Sequence, residues 1–347
     1  MAQPSHTRSA KGLHLWACLT LAATFLLLWS GGLVTSKGVG MSVPDWPTTY
    51  GYNMFLFPFS KWVGGIFYEH SHRLIASGVG LMTLVLAVWI LVADPRRWVK
   101  YLGAAAFVAV CLQGVLGGLR VTLYKDELGI FHALLAQSFL CAIGILSVAT
   151  SGKFLRGEWD IFNPDIVLRN LVLATTAIVF FQLGLGATMR HEHAGLSIPD
   201  FPHAYGKWIP DTSPAAIAAI NAKRVAEGQM PTNALFIWVQ MTHRALAVFI
   251  LAGVIAVFQR AATASRLRAT KSWSSVWLAL VIVQAALGAW TIWSDKAADI
   301  ATTHMALGAL ILLFGVLFSF RLCRAVGTRR FQVPDSNISP ALASRIA

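Results

Sequence analysis

Four histidines occupy matching positions in two parts of a strongly apolar chain of 347 residues. His72 and His132 stand 60 residues apart, and His243 and His304 stand 61 residues apart. The first histidine of each pair lies in a similar short segment: Glu69-His70-Ser71-His72-Arg73 and Gln240-Met241-Thr242-His243-Arg244. Imidazole nitrogens are common metal ligands, so the duplicated pairs predict two metal-ligand sites of related design.

Two imidazoles per site favour a haem iron over a zinc ion. Two nitrogens without further carboxylate or thiolate ligands are too few for zinc. A six-coordinate haem iron needs two axial ligands, and apolar walls suit the porphyrin. A lone histidine within a membrane often does no more than hydrogen-bond to a neighbouring helix. The fourfold match disfavours that alternative here.

Two arginines, Arg73 and Arg244, directly follow the first histidine of each pair. In an apolar environment these side chains would need anionic partners. Haem propionates are one candidate, because a guanidinium binds a carboxylate through two parallel hydrogen bonds. The alternative is that both side chains extend outward to lipid phosphates.

One position differs tellingly between the two segments, Glu69 in the first and Gln240 in the second. Glu69 lies three residues before His72, so on a helix the two side chains share a face. A carboxylate at this depth is typical of a functional group and can transfer protons, whereas an amide cannot. The sequence therefore predicts chemistry in the first half and electron transfer in the second. The alternative is that Glu69 pairs structurally with Arg73, one helical turn further on.

The elements that must position these residues are membrane-spanning helices. The chain is 56% hydrophobic and 12% charged, with a mean hydropathy of +0.62, against about 25% charged residues in ordinary globular proteins. A bilayer-spanning helix needs about 20 apolar residues, and eight blocks qualify, with both termini on one side. The blocks cover residues 13–34, 65–93, 99–123, 128–150, 168–190, 233–258, 273–294 and 299–321. The sequence predicts an all-α polytopic membrane protein.

The basic residues predict the orientation of the chain. The side that holds both termini has 17 of the 28 Lys and Arg residues and a net charge of +12, while the other side has +1. The positive-inside rule makes the first side cytoplasmic. The net charge of +13 therefore reports topology and lipid contact, and no nucleic-acid partner is expected. We expect a bacterial inner membrane protein with its histidines toward the outer face.

The first apolar block and the cysteines have simple interpretations. Arg8 and Lys11 precede the block, as in a signal peptide, but its length and its counterpart in the second half favour a retained helix. All four cysteines fall inside or at the end of apolar blocks, where a thiol is a small packing residue. They are Cys18, Cys111, Cys141 and Cys323.

An internal repeat divides the chain into two halves. Residues 40–51, Gly-Met-Ser-Val-Pro-Asp-Trp-Pro-Thr-Thr-Tyr-Gly, match residues 195–206 at seven of twelve positions. Residues 113–117 and the His72-Arg73 pair have counterparts 171 residues later. The sequence predicts two parallel four-helix bundles, residues 1–155 and 156–347, because an even number of helices preserves orientation. Within the loop motif, Asp45 and Asp200 are expected to form turns, with proton binding or helix capping as alternatives.

All four histidines of the pairs fall early in even-numbered blocks, which begin on the outer side. We therefore expect them at similar depth, with two histidines facing each other inside each bundle. The remaining histidines in these regions lack a histidine counterpart and are interpreted as interfacial or loop residues. They are His70, His191, His193 and His203.

These features together resemble the heme A synthase family over residues 13–325. The resemblance rests on eight spans in two halves, the Pro-Asp-Trp-Pro loop, Glu-x-x-His-Arg in the second block, and the paired histidines. It implies oxidation of the C8 methyl of haem O to a formyl group by successive hydroxylations, the gem-diol then losing water. It also implies that His72 and His132 lie at the substrate haem, with Glu69 as the catalytic carboxylate. His243 and His304 would ligate a haem b cofactor.

Many family members carry a cysteine pair in the first outer loop, whereas residues 37–68 here contain none. Either this branch does without a thiol step or its electron path differs. The candidate partners are haem O as substrate, a haem O synthase, cytochrome oxidase assembly factors and a second copy of the chain, and the electron acceptor stays open. Two other functions fit parts of the pattern: a di-haem protein that oxidises quinol, and a parallel-repeat transporter.

Overall fold

A computed structural model describes residues 4–159, 165–264 and 268–331 of the chain. Within these ranges the regular structure is helical, apart from two isolated β-bridges. The α-helices are α1 (Pro4–Ser36), α2 (Gly64–Ala93), α3 (Arg97–Thr122), α4 (Leu128–Ala149), α5 (Gly152–Leu155), α6 (Ile166–His191), α7 (Pro214–Ala226), α8 (Ala234–Ala264), α9 (Arg268–Trp293) and α10 (Ala298–Phe331). Parts of the predicted cytoplasmic side, residues 1–3, 160–164, 265–267 and 332–347, lie outside the described residues.

Eight of these helices are long and apolar enough to cross a membrane. They confirm the eight predicted blocks, with one end displaced by five residues (258 against 263) and the others by three or fewer. The spans are Lys11–Ser36, Gly64–Ala93, Arg97–Thr122, Leu128–Ala149, Ile166–His191, Ala234–Thr263, Thr270–Trp293 and Ala298–Arg324. The chain is an all-α polytopic membrane protein, because helices satisfy their own backbone hydrogen bonds inside a bilayer.

The long helices pack into two closed rings. In the first ring α1 contacts α2, α2 contacts α3, α3 contacts α4, and α4 returns to α1. In the second ring the same sequence of contacts joins α6, α8, α9 and α10. The rings meet where α10 packs against α1 and α4, and where α4 packs against α6. In α10, 56% of the residues in the apolar stretch are buried inside the protein, the largest share among the eight spans.

The tightly packed core of each ring lies toward the basic side of the molecule. In the first ring it includes Leu13 at the start of α1 and Ile90 near the end of α2. In the second ring Trp277 packs against Phe318 with ring centroids 6.3 Å apart, and both side chains are fully buried. This packing fills the ends of the helices that we predicted to be cytoplasmic. The opposite ends, which we call the outer ends after that prediction, are left for the histidines.

A folded loop caps the outer end of each ring. In the first loop the carboxylate of Asp45 accepts hydrogen bonds from the backbone N–H groups of Tyr50 (2.7 Å) and Gly51 (2.9 Å). In the second, Asp200 accepts the same two bonds from Tyr205 (2.7 Å) and Gly206 (2.8 Å).

Left-handed backbone explains the glycine of each cap motif. The residue after the tyrosine has φ of +77° at Gly51 and +73° at Gly206, where a side chain would be strained. The hydrogen bonds that Asp45 and Asp200 accept in these turns confirm the predicted turn-forming role of both aspartates.

The second cap loop contains an extra helix, α7, which we did not predict. Ser213 caps its start by accepting a hydrogen bond from the N–H of Ala216, and Pro214 occupies its first turn, a favoured arrangement. Ile217 and Ile220 of α7 pack on the buried cluster beneath the loop. The first loop has only two short 3₁₀ helices at this point, Met54–Leu56 and Phe59–Lys61. The two outer surfaces therefore differ.

Candidate functional site

The four predicted histidines lie near the outer ends of their helices, two in each ring. His72 and His132 are in α2 and α4, and His243 and His304 are in α8 and α10. Each stands within the first ten residues of its helix. His72 interacts electrostatically with His132, and His243 with His304. The structure therefore brings together the two members of each predicted pair.

Three of the imidazole rings present one buried and one accessible nitrogen. The Nδ1 atoms of His132, His243 and His304 are fully buried and have no hydrogen-bond partner among the described residues. The Nε2 atoms are not enclosed in this way, and each ring is partly exposed. The other nitrogen of a metal-bound imidazole is usually hydrogen-bonded, whereas these three Nδ1 atoms are enclosed by packing alone. Nε2 is therefore the nitrogen of each ring that could bind a haem iron.

Each imidazole ring packs against a glycine of the preceding membrane-spanning helix. A Cβ added at these glycines would meet the histidine Cε1 closely, so the small residue makes room for the ring. The pairs, with that distance, are Gly31–His72 (2.9 Å), Gly117–His132 (3.4 Å), Gly186–His243 (3.4 Å) and Gly288–His304 (3.1 Å). Four glycines in equivalent places therefore set the position of the four rings.

Three of the histidines are also held by a glutamine one helical turn before the glycine. The glutamine Nε2 donates a 2.9 Å hydrogen bond to the backbone carbonyl of the histidine in each case. The pairs are Gln113–His132, Gln182–His243 and Gln284–His304. Sequence reasoning found the Gln113 and Gln284 segments as repeat markers but did not assign them to the site. The recurring Gln-x-x-x-Gly spacing is the signal that would have revealed this role.

His72 is held differently from the other three histidines. Leu27 stands where the glutamine would be, one turn before Gly31. The ring is held instead by Ser30, whose hydroxyl lies 3.3 Å from Nδ1. The corresponding residues in α6 are Gln182 and Leu185, so polar and apolar positions are exchanged between the halves.

Glu69 lies under the first cap loop and takes part in a buried ion pair. Its side chain is 4% exposed and that of Arg73 is 9% exposed, with 2.7 Å between Glu69 Oε1 and Arg73 Nη2. The other oxygen, Oε2, accepts a 2.9 Å hydrogen bond from the N–H of Val43. The structural pairing that the sequence left as an alternative is therefore present. It ties the only acid of this helix to both its neighbour and the loop.

Both arginines that follow the histidines hold the cap loops through backbone carbonyls. Arg73 donates to the carbonyls of Val43 (2.7 Å), Asp45 (2.6 Å) and Thr48 (3.1 Å). In the second ring the partners of Arg244 are the carbonyls of Asp200 (2.7 Å) and His203 (2.8 Å). Their interpretation as propionate ligands stays a prediction.

Gln240 occupies the place of Glu69 in the second ring and makes a neutral version of the same contact. Its Oε1 accepts from the N–H of Ile198 (2.7 Å), and its Nε2 donates to the carbonyl of Ile198 (3.1 Å). Gln240 is 1% exposed. An amide therefore suffices to anchor a cap loop. What distinguishes Glu69 from Gln240 is its carboxylate, which can carry a negative charge and accept a proton.

Asp45 is the carboxylate of the first cap loop. Burial alone would raise the pKa of its carboxyl, but hydrogen bonds from Gly51, Thr48 and Tyr50 outweigh burial and lower the pKa. The Thr48 hydroxyl lies 2.5 Å from Asp45 Oδ2. The aspartate is therefore ionised near neutral pH and serves the turn.

Two histidines differ from their predicted environment. His70, in α2, is fully buried against Trp62, and its Nδ1 lies 3.1 Å from the Thr49 hydroxyl. His191, the last residue of α6, is 8% exposed and lies against Gly129 of α4. The interpretation as loop residues is wrong for both, because both lie in helices, and their position at the membrane interface stays a prediction.

The fold and the histidines define a polytopic membrane protein with two related histidine pairs at one end of its helices. The chain belongs to the COX15-CtaA family, described as cytochrome oxidase assembly protein, whose model matches residues 14–316.

Several relatives match nearly the whole chain. Heme A synthase of Bacillus licheniformis is 27% identical over 339 residues, which cover 94% of this chain and 99% of that protein. Heme A synthase of Geobacillus kaustophilus is 25% identical over 343 residues, covering 96% and 98%. Heme A synthase of Shewanella oneidensis is 25% identical over 331 residues, covering 88% and 94%. The family expected from the motifs is therefore confirmed.

Proposed function

We propose that this protein is a haem A synthase, an oxidoreductase that converts the C8 methyl group of haem O to a formyl group. The proposal is carried by one observation: within the described residues there are two histidine pairs at one end of the helices, and only the first has a buried carboxylate, that of Glu69, one helical turn away. Family membership and the relatives named above support it. With water as the source of the oxygen atom, conversion of a methyl to a formyl group releases four protons and four electrons, so one site would accept protons and the other would carry electrons to an acceptor.

The second ring is the proposed site of the cofactor, haem b. His243 and His304 would hold it, and their rings pack against Gly186 and Gly288. When bound, this group supplies one-electron transfer. Gln182 and Gln284 hold the backbone of these two histidines, which suits a group that stays bound through many turnovers.

The first ring is the proposed site of the substrate, haem O. His72 and His132 would bind it, and Glu69 would accept protons as the methyl group is oxidised. Arg73 neutralises the carboxylate and, together with Val43, fixes its orientation. The cap loop above Glu69 covers the carboxylate, so solvent reaches it only where the loop opens.

The two rings are proposed to be parallel repeats, residues 1–155 and 156–347. The matching ring contacts and the matching aspartate bonds in the cap loops support this. With the basic side in the cytoplasm, both histidine pairs lie toward the outer face of a bacterial inner membrane. The substrate would then be reached from the outer half of the bilayer.

Neither alternative from the sequence is favoured. A di-haem quinol oxidase usually has haems at both membrane faces, whereas all four histidines here lie at one end of their helices. A transporter leaves the four glycine-backed imidazoles without a role. Haem O is the proposed substrate, and a haem O synthase and oxidase assembly factors remain the candidate protein partners.

The proposed function is tested by haem extraction. The full chain is expressed in cells that make haem O but no haem A, and the extracted haems are separated by chromatography and identified by mass. We expect haem A to form. Failure to form haem A, with haem O and a b-type visible spectrum both present, would refute the proposal.

A further inference from the structure

A group of cations lies between the two histidine pairs, at the outer end of the helices. Arg120 is in the last turn of α3, Arg190 is in the last turn of α6, and Lys296 is in the loop between α9 and α10. Arg190 interacts electrostatically with both Arg120 and Lys296. The group therefore draws on both rings.

These cations are close to both proposed haem sites. Arg120 interacts electrostatically with His72 and His132 of the first ring. Arg190 does so with His304 of the second ring. Arg190 also reaches into the first ring, where it donates to the hydroxyl of Ser36 (2.5 Å) on α1. The group thus spans the boundary between the two sites.

Among the described residues, only one of these three cations makes an ion pair. Arg120 pairs with Asp126 at 2.8 Å, and Asp126 is 43% exposed. Within residues 4–159, 165–264 and 268–331, Arg190 makes no ion pair. Burial, and then the neighbouring Arg190, lower the pKa of Lys296. Unpaired charge in a poorly solvated place is costly, so the arrangement requires an anionic ligand.

Unused hydrogen-bonding atoms point to the same conclusion. Arg120 Nε and His191 Nδ1 are fully buried, and neither has a partner in the described part of the chain. Buried polar groups normally have partners. Both Nη atoms of Arg73 and of Arg244 are bound to loop carbonyls. In Arg190 one Nη atom holds both contacts to α1, to the Gly32 carbonyl and the Ser36 hydroxyl, so donors for a ligand remain in the inter-ring group.

We propose that Arg120, Arg190 and Lys296 form a carboxylate-binding site that holds the propionate groups of the two haems. Arg120 holds a propionate of the substrate haem, while Arg190 and Lys296 hold one of haem b. This inference rests on the proposed function and deepens it. Guanidinium–carboxylate bonds are charge-assisted and strong, so the shared cations fix both haems against the boundary between the rings.

The test measures how fast the purified full-length protein loses haem b to an excess of a soluble haem acceptor. The variants are R190Q and the charge-conserving R190K. The matched control is R321Q, because Arg321 also bonds a backbone carbonyl, that of Trp159 at 3.2 Å, but at the opposite end of the helices. Loss of one charge-assisted contact predicts about ten- to hundredfold faster haem loss from R190Q. R190K and R321Q should stay close to the wild type.

The decisive arm repeats the measurement with the dimethyl ester of haem b, whose carboxylates are blocked. The wild type and R190Q should lose this ester at equal rates. The proposal is overturned if R190Q loses haem b no faster than R321Q, or if the ester is also lost faster from R190Q. It is equally overturned if R190Q loses haem b at the wild-type rate while R244Q loses haem b, but not its ester, faster than the wild type. A wild type that makes no haem A would refute the proposed function but leave this comparison measurable.

Discussion

Replacement of Glu69 by glutamine separates the anchoring role of this residue from its chemistry. The second ring shows what a glutamine does at this place: Gln240 accepts from one backbone N–H and donates to the carbonyl of the same residue. In E69Q the new amide can accept from Val43 N–H in the same way, so the cap loop keeps its anchor. The lost group is the negative charge beside Arg73.

The magnitudes follow from the buried ion pair. Removal of one partner of such a pair costs about 3–5 kcal/mol, and because loop carbonyls still hold Arg73, E69Q should cost about 3 kcal/mol of stability. Removal of a proton acceptor should lower the rate of haem A formation by about 10²–10⁴-fold. The b-type spectrum should persist, because haem b is bound in the other ring.

The assay is haem A formed per bound haem b, measured for E69Q beside the reciprocal variant Q240E. Q240E should keep the wild-type rate to within a few-fold, since the second ring only carries electrons. If E69Q retained a tenth or more of the wild-type rate, Glu69 would be a structural residue only. Loss of haem b from E69Q would likewise contradict the assignment of the two rings.

Two further predictions concern the support of the site. Gln284→Leu removes the bond to the His304 carbonyl and should weaken haem b retention by about 0.5–1.5 kcal/mol, seen as a lower temperature for loss of the Soret band, whereas Gln113→Leu should leave haem b unaffected. The pKa of Asp45 is lowered in the folded protein, so its contribution is present above the ordinary carboxyl pKa of about 3.9 and is lost as the pH falls below it. The protection factor of the Tyr50 amide, which compares its exchange rate with that of an unfolded peptide at the same pH, should therefore fall on acidification, and Asp45→Asn should remove most of this pH dependence.

Much of the architecture could be predicted from the sequence because it follows from composition and periodicity. Apolar blocks of about 20 residues dictate membrane-spanning helices, and the duplicated cap motif located both loops. The histidine pairs were predictable since metal ligands stand out in an apolar chain. Helix α7 was missed, because its short amphipathic pattern lies in a segment that reads as a polar loop.

The support of the histidines was harder to predict, because it depends on which helices are neighbours. Leu27 in α1 and Gln182 in α6 occupy equivalent places. This difference can be interpreted only when α1 is known to pack against α2, and α6 against α8. Arg120 and Arg190 carried a signal that we did not use. Both stand at the outer ends of spans, where the positive-inside rule disfavours cations. The roles that we propose for them depend on the contact between the rings, which no local sequence pattern encodes.

The division of labour between the rings is tested most directly by the haem content of two double variants. One replaces His72 and His132 by alanine, and the other replaces His243 and His304. Purified from cells that make haem O, the first should retain haem b and contain neither haem O nor haem A. The second should lose haem b and retain haem O without converting it. Loss of the same haems from both variants would contradict a substrate ring paired with a cofactor ring.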